Sequence, residues 1–161
     1  MTVNYREAYG LNAWNGILFN HESPLRGKDF VTQKIATAVA EIVLKKRLYV
    51  ELGNLDAQRD WGHAKDYVYG MWLMLQKQWP GDYVLATGQM HSVKEFCALA
   101  FNHVGLDWAE YVRVNKKFIR PAEVPALCGD PSQMEAVGWK REHDLKQIAE
   151  EMVDAAIERL K

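Results

Sequence analysis

The sequence predicts an α/β fold with an incomplete sheet. Short apolar runs of strand length alternate with amphipathic helical stretches, no segment repeats or falls into low complexity, and only about three or four strands can be counted. A doubly wound sheet needs more, and it begins with a strand and a glycine-rich turn, whereas this chain begins with what reads as a helix tail. Its 161 residues are the size of one domain, and a hydrophobic share of 48% against 25% charged residues supports a real core and excludes a disordered or fibrous chain. Twenty Lys+Arg against 21 Asp+Glu leave a net charge of -1, so no basic field draws nucleic acid or an anionic membrane, and any anion site must be built locally.

Val3 to Tyr9 reads as the helix tail. Leu11 to Phe19 ends in Gly16-Ile17-Leu18-Phe19, a short apolar run with the pattern of a strand buried on both faces. Residues 20–27 carry Pro24 and Gly27 among polar side chains and read as a loop. Ile35, Val39, Ile42 and Val43 then recur at helical spacing, with Lys45, Lys46 and Arg47 at the negative end of the helix dipole. Leu48 to Leu52 is a short strand stopped by Gly53-Asn54. From Ala64, the set Tyr67, Val68, Met71, Trp72 and Leu75 predicts one buried helix face, ended by Pro80-Gly81. Tyr83 to Ala86 is another strand. Ser92 and Glu95 form a capping box, followed by Phe96, Ala100 and Val104 as a buried face. Asp130-Pro131 starts a short helix to about Val137, since a proline at the first helical position forfeits only an N–H without a partner. Asp144 caps a last helix with the stripe Leu145, Ile148, Met152, Val153, Ala156, Ile157 and Leu160.

The chemistry-bearing residues are sparse. His21, His63, His91, His103 and His143 are scattered with no ligand spacing, so no metal site is expected. Cys97 and Cys128 belong to no CxxC pair and are expected to be reduced and structural. Ser23 has no nucleophile elbow around it. Tyr5 and Tyr9 have the spacing of a tyrosine–lysine acid/base pair, but without the ammonium a phenol keeps its proton near neutral pH. Arg26, Lys34, Arg59 and Arg120, distributed over loops and a helix start, could clamp a diphosphate, with Glu123 able to accept from ribose or base donors. No run approaches the length of a membrane span, and the start lacks a signal-peptide pattern, so a cytoplasmic protein is expected.

A more specific signal comes from longer motifs. Asn15-Gly16-Ile17-Leu18-Phe19-Asn20-His21-Glu22-Ser23-Pro24 with Arg26-Gly27, Leu52-Gly53-Asn54-Leu55-Asp56, the run from Arg59-Asp60-Trp61-Gly62-His63 to Val68, Ala86-Thr87-Gly88, Arg120-Pro121-Ala122-Glu123-Val124, and Gly129-Asp130-Pro131 occur in order along the chain. Together they resemble the GDP-mannose 4,6-dehydratase family of the extended short-chain dehydrogenase/reductase superfamily. One departure is Leu25, where that family often has a second basic residue.

The resemblance implies the following. Residues 1–161 correspond to the C-terminal, substrate-binding portion of a Rossmann-like enzyme, with Met1 to Gly10 the end of the helix that carries the family's YxxxK pair, so the N-terminal Rossmann half and all catalytic residues would lie outside the chain. The family converts GDP-mannose to GDP-4-keto-6-deoxymannose, on the route towards GDP-fucose, by hydride transfer to and from NADP and loss of water. Phe19, Asn20, His21 and Arg26 match cofactor-side positions. Val31, Lys34, Leu52, Gly53, Asn54, Arg59, Arg120 and Glu123 match positions lining the GDP-sugar pocket. The fragment alone would be inactive. Its expected partners are GDP-mannose and either further copies in a homo-oligomer or the missing half, against whose absence the Ile17-Leu18-Phe19 strand would leave an exposed sheet edge. The alternatives are a non-catalytic nucleotide-sugar-binding or assembly module paired with a separate chain, and a fragment of an NDP-sugar epimerase.

Overall fold

The structure, a computed structural model, describes residues 1–119, 122 and 124–161. In chain order the elements are helix α1 (Thr2–Tyr9), strands β1 (Asn15–Leu18) and β2 (Asn20–Glu22), helix α2 (Val31–Val43), strands β3 (Val50–Leu52) and β4 (Gln58–His63), helix α3 (Ala64–Leu75), strands β5 (Asp82–Leu85) and β6 (Met90–Ser92), helices α4 (Val93–His103) and α5 (Trp108–Tyr111), strand β7 (Val112–Val114), a 3-10 turn (Lys116–Phe118), strand β8 (Ala126–Leu127), and helices α6 (Ser132–Ala136) and α7 (Leu145–Leu160). The class is α/β, as the alternation of strands and helices predicts.

Among the described residues the strands form three small sheets. β1 pairs in parallel with β5, from Asn15 opposite Asp82 to Leu18 opposite Leu85. β4 is the centre of the second sheet, parallel to β2 and β8 and antiparallel to β6. β3 and β7 make a third, parallel pair. Around them, among the described residues, lie two hydrophobic cores. The larger packs α2, α4 and α7 through Ile35, Val39, Phe96, Phe101, Ile148 and Met152. The smaller packs α3 and α6 on the β1–β5 pair through Tyr67, Met74, Tyr83, Leu85, Met134 and Trp139.

Local signals place the helix starts. Ser92 Oγ accepts from the Glu95 N–H while Glu95 accepts from the Ser92 N–H, closing the expected capping box. Asp144 caps α7 in the same reciprocal way with Gln147. Asp130 accepts from the Ser132 N–H, so α6 begins one residue later than expected, with Pro131 in the cap position. α2 ends through Lys45, which takes a left-handed φ of 57° where glycine is usual.

Four expectations need correction. The strand ending in Gly16-Ile17-Leu18-Phe19 has the pattern of one buried on both faces, but no residue of β1 is buried and Ile17 is exposed, because β1 has a neighbour, β5, on one edge among the described residues. Asn20–Glu22, in the expected loop, is a strand, because β4 offers a parallel edge on which Asn20, His21 and Glu22 face Trp61, Gly62 and His63. The strand expected from Leu48 starts only at Val50, and Leu48 is exposed. The single apolar face expected on α3 is split: Tyr67 and Met74 are buried beside Gly70, whereas Val68, Trp72 and Leu75 point to solvent. No helix among the described residues is long and apolar enough to cross a membrane.

Candidate functional site

A cleft of about 1190 Å³ opens along α2, bounded by β3, the Gly53-Asn54 turn, β4 and Phe118. Of the site residues expected from the sequence, Asn20, Arg26, Val31, Lys34, Leu52, Gly53, Asn54 and Arg59 line it. Phe19 and His21 do not. Phe19 packs against the Gly129 backbone, where an added Cβ would stand 2.9 Å from its ring. The His21 Nδ1–H donates to the Phe19 carbonyl at 3.0 Å, and its ring meets Tyr67 edge-on at 5.6 Å. Arg120 and Glu123 lie outside the described residues.

α2 enters the cleft with its N-terminus bare. Phe30 occupies the cap position without a side-chain hydrogen bond, and the first turn holds no acidic residue. The first amides of the helix therefore have no intrahelical acceptor and carry the positive end of the dipole, a combination suited to an anion. Lys34, exposed on the first turn, adds a full charge. Arg59 projects from strand β4, not from a loop as its neighbours Gly53-Asn54 and Asp60 led one to expect, and its Nη1 donates to the Gln58 carbonyl at 2.7 Å.

The remaining charges are partly balanced. Arg26 has its Nε 3.3 Å from Glu22 Oε2 and its guanidinium 3.5 Å above the Phe30 ring. Glu22 also accepts from the Thr32 hydroxyl at 2.5 Å. Burial raises the Glu22 carboxyl above the usual carboxylate range, against the pull of Thr32, Arg26 and His21. On the far wall Arg47 pairs with Glu41 at 2.7 Å.

Gly53 serves a different contact from the one its position suggests. An added Cβ would fall 2.5 Å from the Phe118 carbonyl oxygen, so the glycine lets the Lys116–Phe118 turn close over the cleft. Asn54 braces the same corner by accepting from the Asp56 N–H at 3.0 Å.

Asp60 is the residue that sequence reasoning passed over. Fully buried, it accepts at Oδ1 from the Thr87 N–H (2.8 Å) and hydroxyl (2.7 Å), and at Oδ2 from the Gly88 (3.0 Å) and Gly129 (3.2 Å) N–H groups. It ties β4, which carries Arg59, to the loops after β5 and β8. An aspartate followed by Trp61 and Gly62 in a strand was the available signal, because a buried carboxylate needs several donors.

His63 and His143 meet although 80 positions separate them in sequence numbering. Their rings stack at 4.2 Å, with His63 Nε2 2.7 Å from Glu151 and His143 Nδ1 2.9 Å from Asp66. His63 Nδ1 accepts from the Lys65 N–H and so caps α3. Among the described residues no three His, Cys, Asp or Glu side chains are placed to hold a metal. Burial pushes the Cys97 thiol up to about 12, which leaves it unreactive.

Comparison with known proteins follows the same lines. The family model for GDP-mannose 4,6 dehydratase matches residues 1–152. GDP-mannose 4,6 dehydratase 1 of Arabidopsis thaliana is 52% identical over 98% of this chain and 44% of its own length. The human GDP-mannose 4,6 dehydratase is 47% identical over 98% of this chain and 47% of its own. The chain thus spans about half the length of these curated relatives. In shape, it superposes on RMD from Pseudomonas aeruginosa complexed with NADPH with a TM-score of 0.89, at 20% identity, over 98% of this chain and 52% of that one. That likeness establishes the extended Rossmann-like fold.

Proposed function

The chain belongs to the GDP-mannose 4,6-dehydratase family, and on that premise we propose that residues 1–161 are the portion that holds GDP-mannose for dehydration to the 4-keto-6-deoxy sugar. The observation that carries this reading is the convergence of Val31, Lys34, Leu52, Gly53, Asn54 and Arg59 on one cleft at the bare N-terminus of α2. A nucleoside diphosphate needs fixed positive groups, and here they come from the helix amides, Lys34 and Arg59. The half-buried Asn54 and the peptide groups of β3 and its turn offer neutral donors and acceptors to base or sugar hydroxyls.

NADP, when bound, supplies hydride acceptance and return. The described residues fit one wall of its site. Asn20, at the start of β2, lines the cleft where a nicotinamide would meet this portion. The Arg26 guanidinium is already held by Glu22 and Phe30. The sequence contains no Gly-x-Gly turn, so this chain has no loop of the kind that cradles a dinucleotide diphosphate. Binding and orienting the sugar nucleotide are therefore the tasks of this portion.

Calorimetric titration with GDP-mannose tests the reading. Arg59→Ala and Lys34→Ala should each weaken binding by on the order of 2 kcal/mol, the scale of a charge-assisted contact. Unchanged affinity in both variants would remove the cleft from consideration. The isolated chain should also show no turnover with GDP-mannose and NADP.

A further inference from the structure

One wall of the cleft carries a buried carboxyl, Glu22, at the end of β2. It is 1% exposed, and a carboxylate held away from water needs partners on both oxygens. Oε2 has two, the Thr32 hydroxyl donating at 2.5 Å and Arg26 Nε at 3.3 Å. Oε1 has no hydrogen-bond partner among the described residues, which leaves the carboxyl half satisfied. Arg26 is the complementary case. Phe30 fixes the plane of its guanidinium from 3.5 Å. Its Nε is buried without an aligned hydrogen bond, so Glu22 balances the charge without satisfying the donor. The two Nη groups have no hydrogen-bond partner among the described residues, and the side chain lines the cleft. A planar fork held in this way fits two oxygens of a phosphate side by side.

A phosphate arriving there brings a second negative charge to a cation that already has one, in a corner where charge is poorly solvated. The phosphates of a nucleotide diester stay ionised near neutral pH, so the carboxyl is the group that yields its charge. Burial already draws Glu22 above the usual carboxylate range, against Thr32, Arg26 and His21. The groups around it are otherwise engaged. His21, on the same strand, turns its ring to Tyr67 of α3, and His63, opposite on β4, has Nε2 2.7 Å from Glu151. Asp60 of β4 is filled by backbone donors, and Arg159 of α7, also on the cleft, donates to the Pro24 carbonyl at 2.8 Å. None of these gives Oε1 a donor. Resting on the reading of the cleft as a sugar-nucleotide site, we propose that Glu22 is a positioning residue that exchanges its hold on Arg26 for a proton. The phosphate of the bound nucleotide takes the guanidinium, and Glu22 takes a proton from solvent at Oε1 while Oε2 keeps the Thr32 contact. Binding is thereby linked to proton uptake, and affinity falls as pH rises.

Titration calorimetry of the whole chain in buffers of different ionisation enthalpy counts the protons, with circular dichroism to monitor folding. On binding GDP-mannose between about pH 5 and about pH 8, the wild-type chain should take up protons, to a maximum of about one. Glu22→Gln should abolish the uptake, since an amide does not titrate. Arg26→Ala should abolish it as well and weaken binding at least about tenfold, as loss of a charge-assisted contact does. His103→Gln, on α4 outside the cleft, should leave the uptake as in wild type. Should Glu22→Gln fail to fold, Arg26→Ala decides. A parallel titration with NADP separates two sources of the phosphate: uptake with NADP alone keeps the exchange and assigns Arg26 to the dinucleotide. Binding of the nucleotides without proton uptake, or an uptake that Glu22→Gln leaves intact, overturns the exchange while the reading of the cleft stands. No binding of either nucleotide overturns both.

Discussion

The two cores of this molecule are built from similar residues and finished to different degrees. Around α2, α4 and α7 the apolar faces close on each other, and Ile35, Val39, Phe96, Cys97, Ala100 and Phe101 are inaccessible to water. Around the β1–β5 pair, Leu85 and Met134 are equally buried, but Ile17, Val68, Trp72 and Leu75 of the same layer are exposed. A three-helix packing closes locally, because each helix brings its own backbone hydrogen bonds and needs only side-chain partners. A two-stranded parallel pair cannot do so, since its outer edges retain unpaired N–H and C=O groups and its faces need helices on both sides. The cleft lies along the finished core, with α2 as its wall.

The contrast is sharpest for core truncation. Phe101→Ala in the closed core should cost about 3–5 kcal/mol in chemical denaturation, with no room for the three helices to collapse further. Ile17→Ala, a comparable apolar deletion in the open layer, should stay within about 1 kcal/mol. Equal costs at both positions would mean that the layers are equally complete.

Next in size is the joint between the regions. Asp60→Asn keeps the shape of the side chain but turns an amide N–H₂ toward buried donors among Thr87, Gly88 and Gly129. A loss of about 2–3 kcal/mol is expected, with faster hydrogen exchange at the Gly88 and Gly129 amides. Exchange rates unchanged at both glycines would show that another contact holds these loops.

The smallest effect is a pH dependence at the cleft. Burial holds the Glu22 carboxyl above its unfolded value, so the folded chain binds that proton more tightly. The corresponding stabilisation is present at acidic pH and is lost as pH rises through the raised value. Glu22→Gln should remove this term, so the stability of wild type relative to the variant should fall from about pH 4 toward neutrality. A difference that grows with pH would mean that the Arg26 and Thr32 contacts outweigh burial.

Much of the helical framework was legible because its signals are local. A serine and a glutamate three residues apart at 92 and 95 satisfy each other's amides whatever lies beyond, and the stripe on residues 145–160 admits one inward side. α3 was misread because it is apolar on two sides, and periodicity cannot say which of them meets the sheet. The lining of the candidate cleft was legible in part, through cationic residues and motifs from Asn15 to Asn54. Its supports were not, because Asp60 finds donors 27 and 69 positions away and the Gly53 contact depends on where Phe118 arrives.

The sequence by itself determined the α/β class, the family and the helix starts at Ser92 and Asp144, since each depends on composition, motif order or contacts within one turn of chain. Tertiary structure alone decided that Asn20–Glu22 is a strand, that Asp60 joins three segments, that His63 stacks on His143, and that Trp72 faces water. Each of those outcomes requires a partner far along the chain, and a pairing between distant residues exists only once the intervening chain has closed around it.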